Sequence, residues 1–145
     1  MLTRSLNDDA VLYFRCLRVD CFLRKEAGWE QVKHILLQAH EKTVVVHMHS
    51  FNLLEVYYDI YRSIGKEKAD EELALIKLLP ITLNVNLTDD IFLEAGRLKA
   101  TYKISLADAV VLAETNVTKG ILVTADHHEF DVIEEKESVK FLWIR

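Results

Sequence analysis

The chain has 145 residues, half of them hydrophobic, with one proline, four glycines and a formal net charge of -5. That length suits one compact domain with a single core and no long disordered linker, and the acidic balance excludes a protein that coats nucleic acid by charge alone. The opening MLTRSLNDDAV carries charge too early for a signal peptide, no apolar run reaches the roughly 18 residues that span a bilayer, and Cys16 and Cys21 are too few for a disulfide framework or zinc site, so a cytoplasmic location without membrane contact is expected.

In chain order, residues 10–14 read as a first strand. After Gly28, the spacing of Val32, Ile35, Leu36 and Ala39 gives one apolar stripe and predicts an amphipathic helix. Residues 43–47 are β-branched and apolar, a second and buried strand. Ser50 is the expected N-cap of a helix running through NLLEVYYDIYRSIG to Gly65, and a further helix over 66–79 ends at Pro80. A short strand is expected over 81–85. Thr88 then caps a helix that turns Ile91, Ala95, Leu98 and Tyr102 inward. In the next helix Leu106, Val110, Ala113 and Val117 recur at helical spacing, with Asp108 in the first turn, and Gly120 breaks it. The apolar run of residues 121–123 is a buried strand, and residues 139–144 supply the last one.

Strands alternating with helices of 10 to 15 residues predict a mainly parallel α/β sheet covered on both faces, with no repeat and no internal domain boundary. Ligands bind such sheets at the carboxyl ends of the strands, which is where Thr124, Ala125 and Asp126 fall. Each acidic residue has a structural as well as a functional reading. Ser105-x-x-Asp108 fits a capping pattern, Asp126 also fits the start of a turn, and Glu55, inside the apolar FNLLEVYY, lies either on a wet edge near Asp59 or at the mouth of the sheet. His47, His49, His127 and His128 lack the spacing of a zinc site and fit ordinary polar roles.

The pairing of SLADAVVLAE with a strand ending in LVTADHHEF resembles the C-terminal half of a PIN domain, the metal-dependent ribonuclease fold of VapC-type toxins. The resemblance implies a three-layer α/β/α fold over residues 1–145, with residues 1–21 atypical. It implies an endoribonuclease, the toxin of a type II toxin-antitoxin pair, with an RNA substrate, a cognate antitoxin and a homodimeric state. Glu55, Asp108 and Asp126 would be its catalytic and metal-holding residues, with Thr124 and Asn52 in supporting or phosphate-contacting roles. Two carboxylates about 4 Å apart repel by about 4 kcal/mol at an effective dielectric near 20, so a cation must join them. An all-oxygen donor set suits Mg²⁺ or Mn²⁺, which can activate a bound water and offset charge on a phosphodiester. Arg97, Lys99, Lys103 and Lys119 are candidates for a basic rim, against the plainer reading of a solvated helix face. Tyr57, Tyr58 and Tyr61 are candidates for a contact surface, against core packing.

The chain departs from the family at its N-terminus. A PIN domain opens with a strand ending in an Asp, in a form such as LDA-x-A-L-I-A-F-L, and that Asp is normally the first metal ligand. Here the same place holds LYFRCLRVDCFLRKEAGWE, and the family spacing counted back from Phe22 lands on Arg15. Asp20 comes too late, and Asp8 and Asp9 lie before the strand. A frameshift would account for this. Residues 14–22 can be encoded so that reading one base later gives Phe-Asp-Ala-Cys-Ala-Leu-Ile-Ala, with the Asp at the place of Arg15, a possibility that resequencing the gene decides. As written, the chain gains a cation at Arg15, which should weaken divalent binding and leave a poor nuclease. Two further readings stand beside the active toxin: an impaired remnant that still binds antitoxin or RNA, and an unrelated α/β enzyme. The third lacks any GxGxxG, P-loop or DxD after its first strand.

Overall fold

The computed structural model describes residues 6–7, 9–15 and 25–145. The part of the re-encodable stretch beyond Arg15 therefore lies outside the described residues, as do Asp8 and Asp20.

Five strands form one parallel sheet in the order β3-β2-β1-β4-β5. They are β1 (Ala10–Phe14), β2 (Val44–His49), β3 (Thr82–Asn84), β4 (Ile121–Thr124) and β5 (Lys140–Trp143). β1 is central. Leu12 pairs with Val46 on one side and with Ile121 on the other. Strand order reverses beside β1, so the crevice at its carboxyl end, between it and β4, is the switch point where doubly wound sheets place their ligands.

Among the described residues six helices cover the two faces: α1 (Trp29–His40), α2 (Ser50–Ser63), α3 (Lys66–Leu78), α4 (Asp89–Thr101), α5 (Leu106–Thr118) and α6 (His127–Lys136). The alternation of strand side chains divides the core between them. Leu12, Phe14, Val46, Met48 and Val123 meet α1, α2 and α3 on one face, through residues such as Ile35, Val56 and Ile76. Tyr13 and Leu122 meet α4, α5 and α6 on the other, through Leu98, Val110 and Phe130. The expected three-layer α/β/α arrangement is the one observed. No helix of the described residues is long and apolar enough to cross a membrane.

Several local expectations need correction. Helix α6 was not expected at all. Its sequence HHEFDVIEEK is mostly polar and buries only Phe130 and Ile133. The N-cap of α2 is His49, whose ring accepts the Phe51 N–H at 3.2 Å, and Ser50 is already helical. In α5, Leu106 and Val117 face outward, because every residue from 107 to 115 is buried and no single stripe exists to be read. Gly120 does mark the end of α5 for a packing reason. A Cβ there would lie 2.6 Å from the Tyr13 ring, so only glycine lets the turn into β4 sit against β1. Of the three tyrosines on α2, Tyr58 and Tyr61 are exposed, while Tyr57 packs at the core edge and donates to Asp70.

Candidate active site

Three chain segments meet at the carboxyl end of the sheet. β1 ends there and is followed at once by Arg15. α5 begins there, with Ser105 as N-cap accepting the Asp108 N–H at 3.1 Å, which fixes Asp108 in the first turn. β4 also ends there. The Thr124 hydroxyl accepts the Asp126 N–H at 3.2 Å, and Asp126 in turn caps α6 by accepting the Glu129 N–H at 3.2 Å. Ser105 is thus the cap of α5, with the Asp108 carboxylate itself turned to another partner, and Asp126 caps α6 at the expected turn; neither role prevents a second use. Each cap holds its carboxylate at the mouth of the sheet.

What the carboxylates face there is Arg15. Its Nε donates to Asp108 Oδ1 at 2.5 Å and its Nη2 to Asp108 Oδ2 at 3.1 Å, a two-pronged grip. Nη1 reaches Asp126 Oδ2 at 2.8 Å, and Nη2 also reaches Glu129 Oε2 at 2.5 Å. The guanidinium carbon lies 4.6 Å from the centroid of the Phe130 ring, so an aromatic face closes one side of the cluster. Asp108 is the most enclosed member, with its side chain 1% exposed against 18% for Arg15. Asp126 and Glu129 are about a third exposed and look out to solvent.

Glu55 is half-buried on α2, beside this group and outside the guanidinium's grip. Burial raises its pKa and the Asp108 charge raises it further, while a hydrogen bond with Ser105 and the Arg15 charge oppose the rise. Asn52, one turn earlier on α2, is fully buried and donates to the Ala107 carbonyl at 3.5 Å, tying α2 to the first turn of α5. Its role in the structure is to hold that turn, as Thr124 holds Asp126.

The balance of charge is uneven. Three carboxylates share one guanidinium, which leaves a formal excess of two negative charges if all are ionised. Asp126 is held below the usual carboxylate range: burial would raise it, but the hydrogen bond from Arg15 and the backbone N–H of Glu129 win. Glu129 goes the other way. Burial raises it, the Arg15 charge pulls against that, and the neighbouring Asp108 tips the result upward. Arg15 itself is held more firmly protonated than usual, because Asp108, Asp126 and Glu129 overcome the cost of its burial.

Glu129 was not among the expected site residues. Its signal was present in the sequence, because Asp126-x-x-Glu129 directly after a strand has the spacing of a helix start. Two of the four candidates for a basic rim lie away from this site, in keeping with the plainer reading. Arg97 is held by Glu94 and Glu137, and Lys119 lies just ahead of β4, at the opposite end of the sheet. The histidines serve polar roles: His47 meets Asn84, His49 caps α2, and His127 meets Asp131 and the Arg145 carbonyl.

A model of the PIN domain family matches residues 19–136. The chain belongs to the PIN domain family. The match begins at residue 19, so Arg15 lies outside it. Solved PIN-like structures share the fold. VapBC from Salmonella typhimurium, bound to DNA, aligns over 94% of this chain and 99% of its own at 12% identity and a TM-score of 0.70. VapBC2 from Rickettsia felis, bound to a DNA fragment from its promoter, aligns over 91% and 97% at 14% identity, TM-score 0.69. VapC20 from Mycobacterium tuberculosis, a toxin that cleaves the Sarcin-Ricin loop, aligns over 85% and 95% at 15% identity, TM-score 0.62. No curated protein sequence matches the chain.

The residues present do not fit the divalent ion that the PIN fold implies. Among the described residues no three Asp, Glu, His or Cys side chains are set to hold a metal ion. The reason is visible in the donor set: both oxygens of Asp108 and one each of Asp126 and Glu129 already accept from Arg15. A hard dication needs those same oxygens.

Proposed function

We propose that this PIN-domain chain is a VapC-like subunit of a toxin-antitoxin pair that keeps the fold and the partner binding, while its ribonuclease site is closed by its own Arg15. The site is the one where Glu55, Asp108 and Asp126 would serve a Mg²⁺- or Mn²⁺-dependent endoribonuclease acting on RNA, with Thr124 and Asn52 holding two of the three in place. A cognate antitoxin and a second copy of the chain are its partners on this reading. The observation that carries it is the grip of one guanidinium on Asp108, Asp126 and Glu129. It supports an acidic pocket brought together by the fold, and it equally supports a pocket in which both oxygens of Asp108 and one each of Asp126 and Glu129 are already taken by the chain's own cation.

The experiment compares the chain with Arg15→Asp, which restores a carboxylate at the position the family spacing demands. Incubated with RNA and Mn²⁺, the unaltered chain is expected to cleave no faster than its chelated control. Arg15→Asp should cleave roughly 10- to 100-fold faster, the scale on which changes around a metal site act. Equal metal-dependent turnover from both refutes the closed site. Partner binding is tested by coexpression with the product of any small reading frame upstream, which should copurify with either version.

A further inference from the structure

We infer that Arg15 is the resident cation of the acidic pocket, its guanidinium doing the structural work of a divalent ion so that the chain folds without metal and resists taking one up. The inference rests on the reading of this pocket as a ribonuclease-type site, and goes beyond it by assigning the site a permanent occupant from the chain's own sequence.

The geometry is that of a bridge, not of a neighbouring charge. A guanidinium is a rigid planar fork with five N–H donors, able to meet several carboxylates at once. Here all three of its nitrogens are used. Nε and Nη2 take both oxygens of Asp108, Nη1 takes Asp126, and Nη2 adds Glu129. The residues it joins come from separate places in the chain: Arg15 follows β1, Asp108 lies in the first turn of α5, and Asp126 caps α6 with Glu129 in its first turn. Without a cation these carboxylates would repel one another where the three segments meet, and Asp108, 1% exposed, has no water to turn to. Phe130 covers the guanidinium face and keeps the fork in register. A metal ion entering this cluster would sit beside a fixed positive charge and compete for oxygens already bonded. Lysine could not substitute, because a single ammonium is a point charge with no fork to span three partners.

The test is thermal unfolding and calorimetric titration with Mn²⁺ of the full chain, Arg15→Gln and Arg15→Lys. The unaltered chain should unfold at the same temperature in chelator and in millimolar Mn²⁺, and should show no binding heat. Arg15→Gln removes the charge at similar size. It should lose several degrees in chelator, bind Mn²⁺ and regain the loss. Arg15→Lys should be destabilised yet show no such rescue, since it keeps the charge without the fork. Should Arg15→Gln fail to fold in chelator, folding on addition of Mn²⁺ supports the inference and failure in both conditions overturns it. Mn²⁺ binding and stabilisation of the unaltered chain, or an Arg15→Gln chain as stable as the parent in chelator, also overturns it. None of these readouts involves RNA. An Arg15→Gln chain that binds Mn²⁺ and cuts nothing upholds the resident cation while sinking the ribonuclease reading.

Discussion

Two arginines in this molecule each hold more than one carboxylate, and they do so in opposite surroundings. Arg15 lies at the carboxyl end of the central strand and meets three acids, one of them almost wholly enclosed. Arg97 lies on α4, 47% exposed, and meets two: Glu94 at 2.7 and 3.1 Å, and Glu137 at 2.8 and 3.1 Å. Around Arg97 the charges come closer to balance, and both acids have help, Glu94 from Asn116 and Glu137 from the Tyr102 hydroxyl. Hydrogen bonds from Arg97 hold both well below the usual carboxylate range. Around Arg15 the acids outnumber the cation, and one of them, Glu129, is driven up instead. The difference lies less in the bond lengths than in how many negative charges share each cation and how little water reaches them. A surplus of buried acid is what a metal site has before its metal arrives, and of the two clusters the one around Arg15 has the larger surplus and the one nearly enclosed acid, Asp108.

The sharpest way to break the comparison is to remove the enclosed arginine. Arg15→Met is expected to destabilise the fold by about 3 kcal/mol, the low end of what breaking a buried pair costs, because Asp108 is left charged and enclosed while Asp126 and Glu129 can still be hydrated. Adding Asp108→Asn should return part of that loss, since the stranded charge is gone. Urea unfolding of the two single variants and the double variant measures the coupling directly. A coupling indistinguishable from zero would mean that the cluster is an accident of side-chain placement and not a bridge.

A third acid shows what happens when a buried carboxylate is given no cation. Glu114 lies on α5 with Asp108 and is 2% exposed. It accepts from Asn84 Nδ2 at 3.3 Å, and its other oxygen has no partner among the described residues. Asn84 in turn meets His47, whose ring stacks on Tyr13. Burial pushes the Glu114 carboxyl up to about 7 from its ordinary 4.5, and the Asn84 hydrogen bond does not offset that. The folded state therefore holds a proton that the unfolded state releases. The contribution of Glu114 to stability is full below pH 4.5 and is lost as pH rises through about 7. Glu114→Gln should be more stable than the parent at pH 8, by about 2 kcal/mol against a ceiling near 3, with the gain vanishing toward pH 4.5. Chemical unfolding at a series of pH values reads this. A constant difference across the range would show that the Glu114 carboxyl titrates alike in the folded and the unfolded chain.

Much of this was legible in the residues, for reasons that also explain what was not. The buried strands were clear because runs such as Val44 to Val46 and Ile121 to Val123 are apolar and bounded by turn residues. Thr88 and Ser105 could be recognised as caps because each stands just before an apolar-rich segment with an acid in its first turn, and the structure uses both. Asp108 and Asp126 could be placed at one edge because a helix start and a strand end meet there in any parallel sheet. The inward face of α5 was not legible. A helix buried almost all round carries no stripe, so nothing in the pattern separates Leu106 and Val117 from Val110. Helix α6 was lost for the opposite reason, having only Phe130 and Ile133 to announce it, and with it went Glu129. Counting along the family motif exposed the oddity of Arg15, and its reach to three acids at once is a fact of the fold that spacing does not carry.

The exposed cluster gives the smallest effect and the most discriminating control. Arg97→Met removes as many hydrogen bonds as Arg15→Met does, since each arginine makes four to carboxylates. If the number of bonds governed stability, the two variants would cost the same. Solvent argues otherwise: this arginine is 47% exposed, and the two acids it leaves, 18% and 13% exposed, keep hydrogen bonds from Asn116 and Tyr102, so the loss should be at most about 1 kcal/mol. It should also shrink in 1 M salt, where the screening length falls to about 3 Å, whereas the cost of Arg15→Met should change little because its main partner is enclosed. Unfolding both variants in low and high salt separates the cases. A cost for Arg97→Met as large and as salt-resistant as that of Arg15→Met would show that the geometry of the grip, and not its burial or its surplus of acid, sets its strength.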